Sequence, residues 1–146
     1  MKLAPRALPE LLAGRRIASV TGTNGKTTTT HFLTAAVRAG TSDSQRSVVT
    51  NADGANLHHG IVSALGQAPD ATIAVLETDE RVVADVVAMG SPEVLVLLNF
   101  SRDQLDRNHE LTFLGRDWRV ALEKAAERGP TVVANACDPL IVWVCQ

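Results

Sequence analysis

The sequence is poor in three features that mark specialised proteins: aromatic residues, cysteines and long apolar runs. Aromatic residues make up 3% of the 146 residues, tyrosine is absent and the formal charge is −2, which argues against the stacking platform on a basic groove used by nucleic-acid-binding proteins. Two cysteines are too few for a disulfide framework or a zinc site. The longest apolar run, residues 140–145, cannot span a membrane, and no secretion signal is recognised, so we expect a cytoplasmic protein.

Short apolar runs alternate with longer amphipathic stretches along the whole chain. Hydrophobic residues make up 45% of the sequence, enough for one globular domain with its own core. The runs predict strands over 17–20, 47–50, 72–76, 93–98 and 131–134, and the stretches predict helices over 26–39, 54–65, 80–89 and 111–128. Strands that alternate with helices predict an α/β fold with a mainly parallel sheet and flanking helices.

A polar residue follows or closes every apolar run. In a parallel sheet these positions meet at the carboxyl edge, where α/β proteins bind ligands, although turn formation and helix capping also place polar residues there. Five such positions, one beside a glycine-rich loop, favour a binding site: Thr21, Asn51, Glu77, Asn99 and Asn135.

The glycine-rich loop reads T-G-T-N-G-K-T over residues 21–27, between a predicted strand and a predicted helix. Glycines let the backbone wrap around phosphate oxygens, and the amides at a helix start supply donors. Lys26 would pair with the β- and γ-phosphates, and the Thr27 hydroxyl would bind Mg²⁺. Val20 stands where the general Walker motif has its first glycine. The predicted nucleotide contacts in this segment are Thr21, Gly22, Thr23, Asn24, Gly25, Lys26, Thr27 and Thr28.

Glu77 closes the apolar run of the third predicted strand. A carboxylate at such a strand end can hold magnesium, directly or through water. The alternative interpretation is a solvated acid in the cluster Glu77-Thr78-Asp79-Glu80 at the start of the next helix, where Asp79 or Glu80 would serve as N-terminal charges. The four histidines are scattered and suggest no zinc constellation.

Four further segments make the chain resemble the central ATP-binding domain of the Mur ligase family, and more narrowly its MurT branch. The loop T-G-T-N-G-K-T is that family's version, without the first Walker glycine. Residues 49–56 (V-T-N-A-D-G-A-N) and 76–80 (L-E-T-D-E) are similar to MurT segments. Residues 103–106 read D-Q-L-D, with Gln104 where most amino-acid-adding members have histidine. Residues 135–140 (N-A-C-D-P-L) resemble the adenine-contacting motif N-x-D-D-P-L, with Cys137 replacing its first aspartate.

The resemblance implies a P-loop NTPase-like fold, with residues 1–14 as a lead-in helix and 15–146 as the N-terminal portion of the central domain. It implies ATP and Mg²⁺ as cofactors, with Lys26 and Glu77 as catalytic residues and Thr27 and Glu77 as magnesium ligands. Further nucleotide contacts would be Asn99, Asn135 and Asp138, with Asn51 in a supporting role. MurT-like proteins activate the D-glutamate α-carboxylate of lipid II as an acyl phosphate. A glutamine amidotransferase partner, GatD, then supplies ammonia to give D-isoglutamine.

In the family, further chain follows the last of these motifs. We therefore expect this chain alone to be incomplete for catalysis, and the apolar segment 140–144 to have nothing downstream to complete its packing. Three alternatives stay open: another Mur-type amide ligase resembling folylpolyglutamate synthase, a non-catalytic nucleotide-binding module, and a generic P-loop kinase or ATPase.

Overall fold

The computed structural model describes residues 6–41, 47–52, 54–100, 108–125 and 129–146. Five parallel strands form one sheet in the order β2-β3-β1-β4-β5. The strands are β1 (Arg16–Thr21), β2 (Val48–Thr50), β3 (Ile73–Glu77), β4 (Val94–Leu97) and β5 (Thr131–Ala134). All five predicted strands are therefore present, and the prediction of a parallel α/β sheet is confirmed.

Six helices are described: α1 (Ala7–Leu12), α2 (Lys26–Ala39), α3 (His58–Gln67), α4 (Val83–Gly90), α5 (Asn108–Lys124) and α6 (Pro139–Val144). The bounds of α2 are those predicted. Helix α3 begins four residues later than predicted, because the preceding backbone bonds to other elements: the carbonyl of Ala55 accepts from Asn51, and that of Asn56 accepts from the Asp79 amide. None of the described helices is both long and apolar enough to cross a membrane.

The sheet topology places β1 at the centre, between β3 and β4. The chain leaves β1 toward one edge of the sheet, to β2, and later crosses from β3 to β4 on the other side of β1. Connections that diverge in this way create a crevice at the carboxyl ends of the strands. Val20 is in register with Glu77, and Thr21 with Leu97, so the glycine-rich loop starts beside the ends of β3 and β4.

Two apolar clusters cover the same sheet. The first joins α1, α3 and α4 to the strands, and it includes Leu8 and Leu12, both buried. The N-terminal helix thus packs into the core of the sheet, while the proposed division at residue 14 stays a prediction. The second cluster surrounds Trp118 of α5.

Helix α6 belongs to this second cluster. Its residues Ile141 and Val144 are buried against the cluster that contains Trp118, and Asp138 caps the helix by accepting hydrogen bonds from two amides of its first turn. Leu140, Val142 and Trp143 of the same helix are half-buried. Helix α6 therefore packs against this cluster, and the expectation that nothing downstream completes its packing stays a prediction.

Candidate functional site

The glycine-rich loop connects β1 to α2 at the carboxyl edge of the sheet. Gly25 has φ +84°, and Gly22 has φ +141° with its Cα so close to β4 that an added Cβ would lie 2.8 Å from the Cβ of Leu98. Only glycine fits these two positions without strain. Gly25 is also the N-cap of α2 and offers no side chain to its first turn, so the amides there are left for a ligand.

Lys26 bends back over the loop from which it emerges. Its Nζ donates to the carbonyl oxygens of Gly22 at 2.6 Å and Thr23 at 3.3 Å, and lies 3.6 Å from a carboxylate oxygen of Glu80. The ammonium group therefore stands inside the loop, where the phosphates of a nucleotide would lie. Thr28 is exposed in the first turn of α2, and Thr21 is buried, with no partner for its Oγ1 among the described residues.

Hydrogen bonds of Asn99 join the glycine-rich loop to the end of β4. Its Oδ1 accepts from the Asn24 amide at 2.9 Å, its Nδ2 donates to the Asn24 carbonyl at 3.0 Å, and its own carbonyl accepts from the Thr23 amide at 2.9 Å. Both polar atoms of the side chain are thus engaged by the loop backbone. A direct contact of Asn99 with a nucleotide stays a prediction.

Glu77 is the centre of the site. Its side chain is buried, although it is an acid at a strand end, so the alternative interpretation as a solvated acid is wrong. One carboxylate oxygen accepts from the Thr27 hydroxyl at 2.8 Å, and the other accepts from Asn56 Nδ2 at 2.9 Å. The two side chains predicted to hold magnesium, 50 residues apart in the chain, therefore converge on one point.

Asn51 positions Glu77 through the backbone. Its Oδ1 accepts from the Glu77 amide at 2.8 Å, and its Nδ2 donates to the carbonyl oxygens of Glu77 at 2.8 Å and Ala55 at 2.9 Å. The side chain is buried and joins the end of β2 to the end of β3. A supporting contact of Asn51 with a ligand stays a prediction.

Asn135 and Asp138, both predicted as nucleotide contacts, follow the edge strand β5, and these contacts stay predictions. Asp138 uses its carboxylate on backbone amides: Oδ2 accepts from Phe100 at 2.7 Å, and Oδ1 accepts from Leu140 and Ile141 at the start of α6. It thus ties the end of β4 to the N-terminus of α6. Asn135 is exposed, and its Oδ1 accepts from the Cys137 amide in a turn. Gln104, on which the narrower resemblance depends, lies outside the described residues.

Two acidic residues that follow Glu77, Asp79 and Glu80, interact with the charge of Lys26. Burial raises the pKa of the Asp79 carboxyl, but hydrogen bonds from the Arg81 side chain and amide, and the charges of Arg81 and Lys26, lower it by more, so the net shift is downward. Asp79 therefore remains ionised at neutral pH. Helix α4 begins at Val83, so neither Asp79 nor Glu80 lies in its first turn as a terminal charge.

The sequence did not predict two residues of the site: Asn56, which donates a hydrogen bond to the Glu77 carboxylate, and Glu80, which forms an ion pair with Lys26. Asn56 shares the β2–α3 loop with Asn51, and Glu80 follows Glu77 by three residues. Position on the same loop as a predicted site residue was the available signal for both.

A magnesium ion fits the oxygen atoms present. Thr27 and Glu77 offer a hydroxyl and a carboxylate, the hard donors that Mg²⁺ prefers beside phosphate oxygens and water. In the part of the chain that the structure describes, no cluster of three or more histidine, cysteine or acidic residues could hold a metal alone. The donors therefore suit a magnesium ion that arrives with a nucleotide.

Comparison with known proteins decides the family. The Mur ligase middle domain matches residues 20–143, most of the chain. This chain belongs to the Mur ligase family. Members of this family are ATP-dependent ligases. Subunit MurT of the lipid II isoglutaminyl synthase (glutamine-hydrolyzing) of Staphylococcus aureus strain COL is 33% identical over 127 residues, which are 86% of this chain and 28% of that protein.

Other Mur ligases are also similar. The UDP-N-acetylmuramate–L-alanine ligase of Saccharopolyspora erythraea is 36% identical over 134 residues, covering 90% of this chain and 25% of that protein. The solved structure of a UDP-N-acetylmuramoyl-L-alanyl-D-glutamate–2,6-diaminopimelate ligase superimposes with a TM-score of 0.62 at 25% identity, covering 90% of this chain and 28% of that one. The chain thus spans between a quarter and a third of the length of these relatives.

Proposed function

We propose that this chain is the ATP-binding part of a MurT-like ligase in peptidoglycan biosynthesis. With a GatD-like glutamine amidotransferase it would amidate the D-glutamate α-carboxylate of lipid II to D-isoglutamine, in the cytoplasm, through an acyl phosphate. Because the chain spans 28% of the length of its S. aureus relative, the reaction is proposed for an assembly in which this chain supplies the nucleotide site. The observation that carries the proposal is the contact of Thr27 with Glu77 beside Lys26.

The arrangement suits transfer of a phosphoryl group to a carboxylate, because the attacking carboxylate and the γ-phosphate repel each other. Lys26 would neutralise phosphate charge, and the amides at the start of α2 would bind phosphate oxygens. Magnesium, held by Thr27 and Glu77, would supply further charge compensation on the phosphates. Asn51 and Asn56 would keep the Glu77 carboxylate in place while the nucleotide binds.

The acceptor substrate distinguishes the two candidate functions within the family. Similarity to the S. erythraea ligase supports L-alanine addition to UDP-N-acetylmuramate as a second candidate. The motif D-Q-L-D, with Gln104 in place of histidine, favours the MurT-like reaction. Nucleotide binding is common to both candidates, so it is tested first and the acceptor second.

Calorimetric titration of the chain with Mg²⁺-ATP tests the nucleotide site. We expect binding that Lys26→Ala abolishes, and that Glu77→Gln converts to weak binding independent of magnesium. Glu123→Gln, which changes an exposed acid on α5, serves as the charge-matched control and should bind as the wild type does. Circular dichroism confirms that each variant folds. A folded wild-type chain that does not bind ATP with or without magnesium contradicts the proposal.

Product analysis tests the acceptor. The ligase assembly in which this chain supplies the nucleotide site is incubated, together with a GatD-like partner, with lipid II, glutamine and Mg²⁺-ATP, and in parallel with UDP-N-acetylmuramate and L-alanine. Isoglutamine-containing lipid II, detected by mass spectrometry and absent with Lys26→Ala, supports the proposed reaction. Alanine ligation without amidation would replace it with the second candidate.

A further inference from the structure

Lys26 and Glu80 form an ion pair in which the Glu80 carboxylate occupies a place beside Nζ that a bound phosphate would also need. The Nζ–Oε2 distance is 3.6 Å, and only 14% of the lysine side chain and 16% of the glutamate side chain are exposed. Solvent therefore screens this pair less than an exposed one. The remaining contacts of Nζ are carbonyl oxygens of the loop, at Gly22 and Thr23, so Glu80 is the one anionic group within ion-pair distance of Nζ among the described residues.

A hydrogen bond anchors the backbone of Glu80, and its carboxylate forms the ion pair with Lys26. Trp118 Nε1 donates to the Glu80 carbonyl at 2.8 Å, and the indole is buried against the ring of Phe100 at a centroid distance of 4.5 Å. This anchor keeps the residue beside the loop.

The carboxylates of the neighbouring acids Glu77 and Asp79 are hydrogen-bonded to residues other than Lys26. The Glu77 carboxylate accepts from Thr27 and Asn56, and the Asp79 carboxylate is held by the side chain and amide of Arg81. When a triphosphate enters the loop, its anionic oxygens compete for Lys26 with Glu80. Lys26 cannot serve both at full strength, because the two anions repel each other at this distance.

We infer that Glu80 is a positioning residue that holds Lys26 in the free site and that the phosphates of the nucleotide displace. This inference rests on the proposed nucleotide site and adds a determinant of its affinity and release rate. Before the nucleotide binds, Glu80 compensates the positive charge of the largely buried Lys26 side chain. It also lowers the affinity of the loop for phosphate and so speeds dissociation of the product nucleotide.

Nucleotide affinity of Glu80→Gln, which has nearly the same shape without the charge, tests the inference. We expect Mg²⁺-ATP and inorganic triphosphate to bind about three- to tenfold more tightly, with slower dissociation in stopped-flow experiments with a fluorescent ATP analogue. AMP has no β- or γ-phosphate to compete for Lys26, so its affinity should not change. Glu80→Asp should restore wild-type behaviour in part. A merely structural role of Glu80 would not produce a gain confined to the longer phosphates.

Asp79→Asn is the matched control, since it removes one negative charge from the adjacent residue, whose carboxylate is held by Arg81. Its gain in ATP affinity should be clearly smaller. An equal gain would mean that the general field acts and would overturn the inference. Wild-type binding that Glu80→Gln leaves unchanged or weakens would overturn it while the nucleotide site stands. Failure of the folded wild-type chain to bind both ATP and triphosphate would overturn the nucleotide site and the inference together.

Discussion

Replacing Asn51 with aspartate should strongly destabilise the fold, although the two side chains have nearly the same shape. Asn51 Nδ2 donates to the carbonyl oxygens of Glu77 and Ala55 at 2.8 and 2.9 Å, and only 5% of the residue is exposed. The substitution puts an oxygen where this donor stands, so two hydrogen bonds become contacts between acceptors. Each buried acceptor left unpaired costs about 1–3 kcal/mol. We expect the free energy of unfolding to fall by about 3–5 kcal/mol, a large share of the roughly 5–15 kcal/mol typical of a domain.

Urea unfolding at neutral pH, followed by tryptophan fluorescence, measures this change. The loss should shrink as the pH falls toward about 4, because a protonated carboxyl regains one donor. Asn24→Asp, the same chemical change at an exposed loop position, should shift the free energy of unfolding by less than about 1 kcal/mol. A loss below about 1 kcal/mol at neutral pH for Asn51→Asp would refute the reasoning that these hydrogen bonds hold the ends of β2 and β3 together.

Three other substitutions test separate features of the structure. Gly22→Ala should abolish Mg²⁺-ATP binding in calorimetry and cost about 1–3 kcal/mol in urea unfolding, because the added Cβ would clash with Leu98 at the end of β4. Gly66→Ala, on the open face of α3, is the control and should be neutral or stabilising by up to about 1 kcal/mol. Equal effects of the two substitutions would contradict this account of the loop. Asp79→Asn should lower stability near pH 7. Although burial raises the pKa of the Asp79 carboxyl, the hydrogen bonds and charge of Arg81 lower it by more, so the deficit should persist down to the ordinary pKa of 3.8 and disappear as the pH falls further through the lowered pKa. Urea titrations at several pH values measure the difference, and a deficit independent of pH would contradict the pairing. Trp118→Phe should cost about 1–3 kcal/mol through the lost indole hydrogen bond, and an unfolding midpoint equal to that of the wild type would show that this bond contributes nothing.

The segments that the sequence predicts well are those whose signals are local. Helix α2 begins at Lys26 and ends at Ala39 as its pattern predicts, because a glycine precedes it and another follows it. Strands β3 and β4 are short apolar runs, which are typical of a parallel sheet covered by helices. The glycine-rich loop is contiguous in sequence, so its residues and their order could be read directly.

Tertiary structure decided which residues meet and what each side chain does. Sequence spacing could not reveal that Glu77 receives a hydrogen bond from Thr27, that Glu80 reaches Lys26, or that the start of α3 is delayed to His58. These contacts join elements brought together by the strand order, which puts β1 between β3 and β4. Local propensity carries no information on that order, because any arrangement of five such strands would satisfy the same hydrophobic pattern.

Asn51 and α6 both have partners in the structure that their sequence pattern does not reveal. The position of Asn51 at a strand end predicts a ligand contact, which stays a prediction, but it does not indicate that both ends of the side-chain amide bond to the chain's own backbone. The apolar pattern of residues 140–144 does not indicate what they pack against, and the structure buries Ile141 and Val144 in the cluster that contains Trp118. The sequence determined which groups and which local elements the protein has. Long-range packing alone determined their partners, since hydrogen bonds and buried surface are satisfied between segments far apart in the chain.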